Sequence, residues 1–308
     1  MIRLHAACAV ALIIVIAGPS VPAQRFTSGT IGVRVDVLVT HGQELVRGLS
    51  AKDFELRDEG VLQKVSEFEV EQIPLNLILA FDTSGSVAGD RLHALVQAAQ
   101  SLLERLRPDD RVALVSFATR VRLLAPLTPS RQQIQGAFAT LSAQGATSLR
   151  DAAFAALALR EADPGRTLVL VFSDGADTAS WLRPSAVIEA AKRTDAVVYA
   201  VAIGEQRYAY TMSSTSGRTG ITAAKVITIE KAGKFLDNLT EETGGRVMFA
   251  TSNRDLRATF TQTLAEFRDR YVLSYTPTGV SPTGWHRLDV KLKGRSGKVT
   301  ARRGYFAQ

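Results

Sequence analysis

Between Leu75 and Phe81 the chain is apolar at every position except Asn76. A strand with one face in water alternates, so a run of this kind is expected where both faces of a parallel sheet are covered. The same texture returns at Val112 to Phe117, Thr167 to Phe172, Ala196 to Ile203 and Arg246 to Ala250. Helical periodicity fills the intervals, at Arg91 to Leu106, Leu149 to Arg160, Pro184 to Arg193, Phe235 to Thr243 and Asp255 to Arg268. Such alternation admits few architectures. It predicts an α/β fold: an open, doubly wound, mostly parallel sheet with helices on both faces.

The flanks read differently. Ile31, Val33, Val35, Val37 and Val39 fall on one face, with Gly32, Arg34, Asp36 and Thr40 opposite, the period of a half-buried strand. After the turn at His41-Gly42-Gln43, Asp53 to Leu56 and Val61 to Val70 read as strands around Asp58-Glu59-Gly60. Past Arg270 the β texture returns at Tyr271 to Tyr275, Arg287 to Lys293 and Val299 to Phe306. The economical topology is a small β-sandwich whose N- and C-terminal strands pair, with the α/β domain inserted between them. The expected boundaries are residues 24–73 and 271–308 for the sandwich and 74–270 for the α/β domain. Glu205 to Lys231, centred on the polar stretch Met212 to Gly220, reads as a flexible surface insertion.

The first residues bear on the compartment. A weakly basic start, Met1 to His5, leads into an unbroken apolar run from Ala6 to Ala17, and Gly18-Pro19-Ser20 ends it. Small residues then follow in Val21-Pro22-Ala23, so residues 1–23 are expected to be a secretory signal peptide. The run rises only about 18 Å as a helix, against a bilayer core of roughly 30 Å. The chain is therefore expected to be secreted, periplasmic or on the cell surface, with an uncleaved anchor as the alternative. No later stretch has the length and apolarity of a membrane span. Cys8, the single cysteine, lies in the apolar run, so the mature chain would owe its stability to its core rather than to disulfides.

Composition is that of an ordinary globular protein, 46% apolar and 22% charged, with a net charge of +7. The excess is local: residues 271–308 hold seven Arg and Lys against the single acidic Asp289. Lys291 and Lys293 alternate with apolar neighbours and read as guards of an edge strand. Secretion argues against nucleic acid as the partner.

In doubly wound sheets, ligands gather at the carboxyl ends of strands. Asp82-Thr83-Ser84-Gly85-Ser86 follows the first buried strand, and Asp174 follows the strand that ends at Phe172. Gly145-Ala146-Thr147-Ser148 precedes the helix from Leu149. Each segment alone could serve as a helix cap. Together they offer carboxylates and hydroxyls without paired His or Cys, hard donors that suit Mg²⁺, Mn²⁺ or Ca²⁺ rather than zinc. Asp151 reads as a charge at a helix N-terminus, Asp177 as solvated, and Trp181 and Trp285 as packing residues.

These residues resemble the metal-ion-dependent adhesion site of von Willebrand factor A (VWFA) domains, whose pattern is Asp-x-Ser-x-Ser, a distant Thr and a later Asp. Asp82, Ser84, Ser86, Thr147 and Asp174 match it without a gap, and the resemblance covers residues 74–270. The flanking segments Leu49 to Leu56, Thr243-Gly-Gly-Arg246, Tyr271 to Tyr275 and Arg302 to Phe306 are similar to a secreted bacterial subfamily, the Acidobacterial-type VWFA-related proteins. The resemblance implies that the two serines and the threonine ligate a divalent cation directly or nearly so, and that the aspartates act partly through water. It also implies a coordination position left open for an acidic residue of a protein partner, and a role in adhesion or assembly rather than catalysis.

Enzyme patterns fit less well. A haloacid-dehalogenase-type phosphatase needs a second Asp two residues after the first, and position 84 is Ser. A serine hydrolase needs a Gly-x-Ser-x-Gly elbow, and Ser84 lacks the first Gly. No phosphate loop of the Walker type is present. Two alternatives stay open: a structural or assembly module of the envelope with a vestigial site, and a metal-dependent hydrolase.

Overall fold

A computed structural model describes residues 32–307 apart from Gln43, 70–72, 161–164, Asp174, Gly204, 216–217, 230–232 and Thr251. The expected signal peptide, residues 1–23, lies outside the described residues. The chain from Gly32 onward forms one compact unit.

It opens with β1 (Val33–His41), β2 (Glu44–Leu45), β3 (Phe54–Asp58), β4 (Val61–Gln63) and β5 (Val65–Glu69). The period-two pattern of β1 is realised: Val33, Val35 and Val37 are buried, while Arg34 and Asp36 are half-buried.

The α/β block follows, with β6 (Leu75–Asp82), α1 (Asp90–Leu103), β7 (Arg111–Phe117), β8 (Val121–Thr128), α2 (Arg131–Phe138), α3 (Leu149–Ala158), β9 (Arg166–Phe172), α4 (Pro184–Lys192) and β10 (Val197–Ile203). Then come β11 (Glu205–Thr215), β12 (Arg218–Ile229), α5 (Gly233–Glu242), β13 (Val247–Ala250) and α6 (Leu256–Arg268). The strand order is β13-β10-β9-β6-β7-β8. All neighbours are parallel except β8, which returns antiparallel along β7 and forms one edge.

Every residue of β6 is buried, because helices cover both faces. Leu75, Leu77, Leu79 and Phe81 share a core with α1 and α6, and Ile78 and Ala80 one with α3. Full burial of each large side chain stabilises by about 1.5–3 kcal/mol. Ala152, Ala153 and Ala156 form the buried face of α3, and their small side chains let the helix lie close to the sheet. The chain runs from β6 to β7 on one side and later to β9 on the other. That reversal is the topological switch point, where the carboxyl ends of strands frame a ligand site.

The segment read as a flexible insertion is instead an antiparallel hairpin of β11 and β12, pairing Glu205 with Ile229 through to Thr215 with Arg218. Its polarity disguised strand-forming residues: Val226 to Ile229 are all β-branched, and Ser216-Gly217 is a hairpin signal between the strands.

The last strands are β14 (Tyr271–Tyr275), β15 (Gly284–Leu292), β16 (Lys298–Thr300) and β17 (Gly304–Ala307). They join the first ones in two sheets, β16-β1-β14-β5 with β2 alongside β1, and β17-β15-β3-β4. Val33 pairs with Tyr275 and Val37 with Tyr271; Leu288 pairs with Asp58 and Leu292 with Phe54. One core lies between the sheets, containing Val35, Val37, Phe54, Leu56, Leu273 and Leu288.

Two expected strands are each divided between these sheets. The run from Val61 breaks at Lys64, where β4 stays on β3 and β5 crosses to β14. The run from Val299 breaks at Ala301 to Arg303, where Arg302 Nε donates to the Gly304 carbonyl at 2.6 Å and holds the bend. Lys291 stands opposite Glu55 on β3, and β17 pairs β15 only from Gly284 to Arg287, so the Lys291 stretch has a strand neighbour on one side among the described residues; Lys293 lies just past the end of β15.

A polar cluster is built into the sandwich core. The fully buried Asp58 accepts hydrogen bonds from the Tyr275 and Tyr305 hydroxyls, each at 2.8 Å, and its other oxygen lies 2.8 Å from His286 Nδ1. Burial, reinforced by the bonds to Asp58, pushes both phenols above their ordinary pKa.

Candidate metal centre

Asp82 is the last residue of β6 and is fully buried. Its Oδ1 accepts the Ser84 N–H at 2.9 Å, which turns the chain sharply back over the strand end. Its Oδ2 accepts the Ser173 hydroxyl at 2.9 Å. The turn brings Ser84 Oγ within 3.1 Å of Ser86 Oγ, with Ser84 buried and Ser86 exposed. One carboxylate and two hydroxyls are thus gathered by residues 82–86 alone.

The Thr147 segment is stitched to this turn through the backbone. Gly85 N–H donates to the Gly145 carbonyl at 3.0 Å, and Gln144 N–H to the Thr83 carbonyl at 2.8 Å. Gly145 has φ +82°, and a Cβ there would lie 2.5 Å from Thr119 Oγ1, so both backbone conformation and close approach require glycine. Thr119 Oγ1 accepts the Ala146 N–H at 3.0 Å. Thr147 is buried, and its backbone is fixed on both sides: its N–H donates to Thr178 Oγ1 at 3.0 Å, and its carbonyl accepts Thr178 N–H and Ala179 N–H at 2.9 Å each. Its hydroxyl makes no hydrogen bond among the described residues, so its lone pairs are uncommitted.

Asp174 lies outside the described residues. Its neighbour Ser173 ends the β9 segment, and the bond from Ser173 to Asp82 ties that strand end to β6. The sequence pattern singles out Asp174 and not Ser173, although a hydroxyl just past a buried strand at the switch point is the signal that marks it.

The donor set fits a hard divalent cation. It is made of carboxylate and hydroxyl oxygens, it sits at the carboxyl ends of strands, and the Thr147 hydroxyl is uncommitted among the described residues. Among the described residues no three His, Cys, Asp or Glu gather in metal-binding range, so a soft or imidazole-rich site has no counterpart there.

Of three neighbours, Asp151 sits at a helix N-terminus as expected, and the other two take different roles. Asp151 lies in the first turn of α3, and its carboxylate also accepts the N–H groups of Trp181 at 3.0 Å and Leu182 at 2.9 Å. Asp177 is not merely solvated: Arg150 grips it with Nε and Nη2, each at 3.1 Å, and Ser180 Oγ donates to it at 2.7 Å. Burial opposes the charge on Asp177, but the bonds from Arg150 and Ser180 outweigh it and hold its carboxyl below the ordinary range. Trp181 is 93% exposed, in a loop where Asp151 accepts its N–H and Asp177 accepts that of Ser180. Trp285 packs as expected, edge-on to Phe306 with centroids 5.5 Å apart.

Residues 77–176 match the family model of the von Willebrand factor type A domain. Over 137 residues the chain is 31% identical to an uncharacterized protein of Synechocystis sp., covering 44% of this chain and 32% of that one. Over 151 residues it is 26% identical to inter-alpha-trypsin inhibitor heavy chain H4 of Bos taurus, covering 45% of this chain and 16% of that one. The chain thus spans a third or less of the length of these curated relatives. Among solved structures, a von Willebrand factor type A protein from Catenulispora acidiphila shares the fold with a TM-score of 0.51 at 12% identity, over 88% of this chain and 75% of that one. No helix among the described residues is long and apolar enough to cross a membrane. The doubly wound sheet and the matched residues agree: residues 77–176 match the von Willebrand factor type A domain, and the α/β block has the fold of such domains.

Proposed function

We propose that this protein is a secreted adhesion or interaction module that captures an acidic group of a partner protein through a divalent cation. Asp82, Ser84, Ser86, Thr147 and Asp174 would hold the ion, with Mg²⁺ the first choice and Mn²⁺ or Ca²⁺ acceptable to the same oxygens. The single observation that carries the reading is the stitching of two distant hydroxyl segments over one buried carboxylate by the Gly85–Gly145 and Gln144–Thr83 backbone bonds. Such an arrangement costs hydroxyl desolvation without filling a core, and a cation returns that cost. When bound, the ion supplies a positive centre with exchangeable water positions, one of which a partner carboxylate can take. The hydroxyl and carboxylate donors of the set suit holding a cation, which supports binding rather than catalysis as its chemistry. The sandwich formed by residues 24–73 and 271–308 would frame the domain of residues 74–270, outside the cytoplasm.

Isothermal titration with Mg²⁺ and Mn²⁺ tests this reading. Wild type is expected to bind one ion, and Asp82→Ala and Ser84→Ala to bind none. Equal titration of all three would end the proposal, as would phosphate or ester turnover that depends on Asp82.

A further inference from the structure

A cleft of about 540 Å³ opens beside the metal centre. Thr83 and Gly145, the residues that tie the Asp82 turn to the Thr147 segment, form part of its wall. From there it runs along the β7–β8 turn, where Thr119, Arg120 and Arg122 line it, with Gln144 opposite. Arg120, in the turn just before β8, and Arg122, in β8, both line the cleft. Both are exposed, and neither guanidinium has an ion-pair or hydrogen-bond partner among the described residues. Among the described residues no Asp or Glu lines the cleft. This differs from the other side of the centre, where Arg150 is neutralised by Asp177. The positive charge of Arg120 and Arg122 is therefore left uncompensated among the described residues, beside the metal centre.

We infer that this cleft is a second subsite for an acidic, extended protein segment, with one carboxylate directed to the centre and further carboxylates to Arg120 and Arg122. The inference rests on the proposed function for the first carboxylate and on charge complementarity for the rest. Guanidinium forks match carboxylates bidentately and favour planar acidic groups over a diffuse anionic surface. The hydroxyl of Thr119 and the amide of Gln144, both lining the cleft, give a peptide backbone polar partners. Selectivity then comes from the spacing of acidic residues in the partner, which a lone metal-bound carboxylate would not read.

The test uses synthetic hexaglutamate and, as a single-carboxylate control, N-acetylglutamine methyl ester hydrolysed to its free acid, with binding followed by calorimetry in Mg²⁺ and in chelator. In Mg²⁺, Arg120→Glu/Arg122→Glu is expected to weaken hexaglutamate by roughly tenfold or more, with Mn²⁺ binding and the circular dichroism spectrum unchanged. The single-carboxylate probe should bind wild type and this variant within about threefold of each other. Arg120→Lys/Arg122→Lys, which keeps the charge, should retain most of the affinity, and binding should weaken as ionic strength rises. Equal hexaglutamate affinity for wild type and the Glu double variant overturns the inference while leaving the metal reading intact. So does arginine-dependent capture of phosphatidylserine vesicles without hexaglutamate binding. If Mn²⁺ fails to bind, the metal reading falls alone, and the chelator arm decides the cleft: arginine-dependent hexaglutamate binding sustains it, and its absence overturns it.

Discussion

The Ser173 hydroxyl donates to Asp82 Oδ2 at 2.9 Å, so the end of β9 orients the carboxylate that closes β6. Partners of this kind, one shell out from a cation, commonly change metal affinity by about 10–100-fold when removed. Ser173→Ala is therefore expected to weaken Mn²⁺ binding by roughly tenfold and to cost the metal-free protein about 1 kcal/mol. Calorimetry and urea unfolding read the two effects separately; unchanged affinity would show that Asp82 is oriented without Ser173.

Metal removal should register as lost stability. At a free Mg²⁺ concentration 100 times its dissociation constant, the folded state gains about 2.7 kcal/mol. Wild type should show a raised thermal midpoint that chelator reverses, and Ser84→Ala/Ser86→Ala no metal-dependent shift. An identical shift in both proteins would place the stabilising ion elsewhere.

Gly245 is irreplaceable for a geometric reason. A Cβ there would lie 1.8 Å from the Val198 carbonyl oxygen in β10. Gly245→Ala must push α5 away from the sheet, at an expected cost of about 3 kcal/mol or more. Denaturant unfolding measures it, and a loss below about 1 kcal/mol would mean that the turn shifts at little cost.

Asp58 satisfies two phenols and faces an imidazole inside the sandwich. Asp58→Ala strands all three buried groups, and the expected loss is about 3–5 kcal/mol. Asp58→Asn keeps the volume and one acceptor oxygen and should cost less. If both substitutions cost the same, packing volume rather than hydrogen bonding is what the site supplies.

The Arg150–Asp177 pair makes stability depend on acid. The folded-state pKa of Asp177 is depressed, so its contribution is present above the ordinary carboxylate range and is lost as pH falls through that range toward the folded value. Asp177→Asn should lower unfolding free energy by about 1–2 kcal/mol near pH 7, and the difference from wild type should shrink below about pH 4. Urea unfolding across pH checks the sign; a gap that widens in acid would contradict it.

Much of this architecture was readable from pattern. The apolar run at Leu75 to Phe81 announced a strand covered on both faces, and the alternation of Val33, Val35 and Val37 announced one covered on a single face. The turn at Asp82 was legible because its donors lie within five residues. What escaped was held by contacts distant in sequence. β8 combines exposed Arg122 and Leu123 with Pro126, a mixed pattern that makes sense only for an antiparallel edge strand. The loop of Trp181 is tied to Asp151, thirty positions upstream, which accepts its N–H. No local periodicity encodes that bond.

The pairing of Val33 with Tyr275 also orders events in time. A chain leaving the ribosome presents β1 and β3 long before β14 and β15 exist, and the whole α/β block is synthesised in between. Until then those early strands carry open edges and an uncovered apolar face, the condition under which nascent chains associate wrongly. A premature stop anywhere before Tyr271 would therefore do its damage at both extremities, deleting strands from one and stripping the cover from strands at the other.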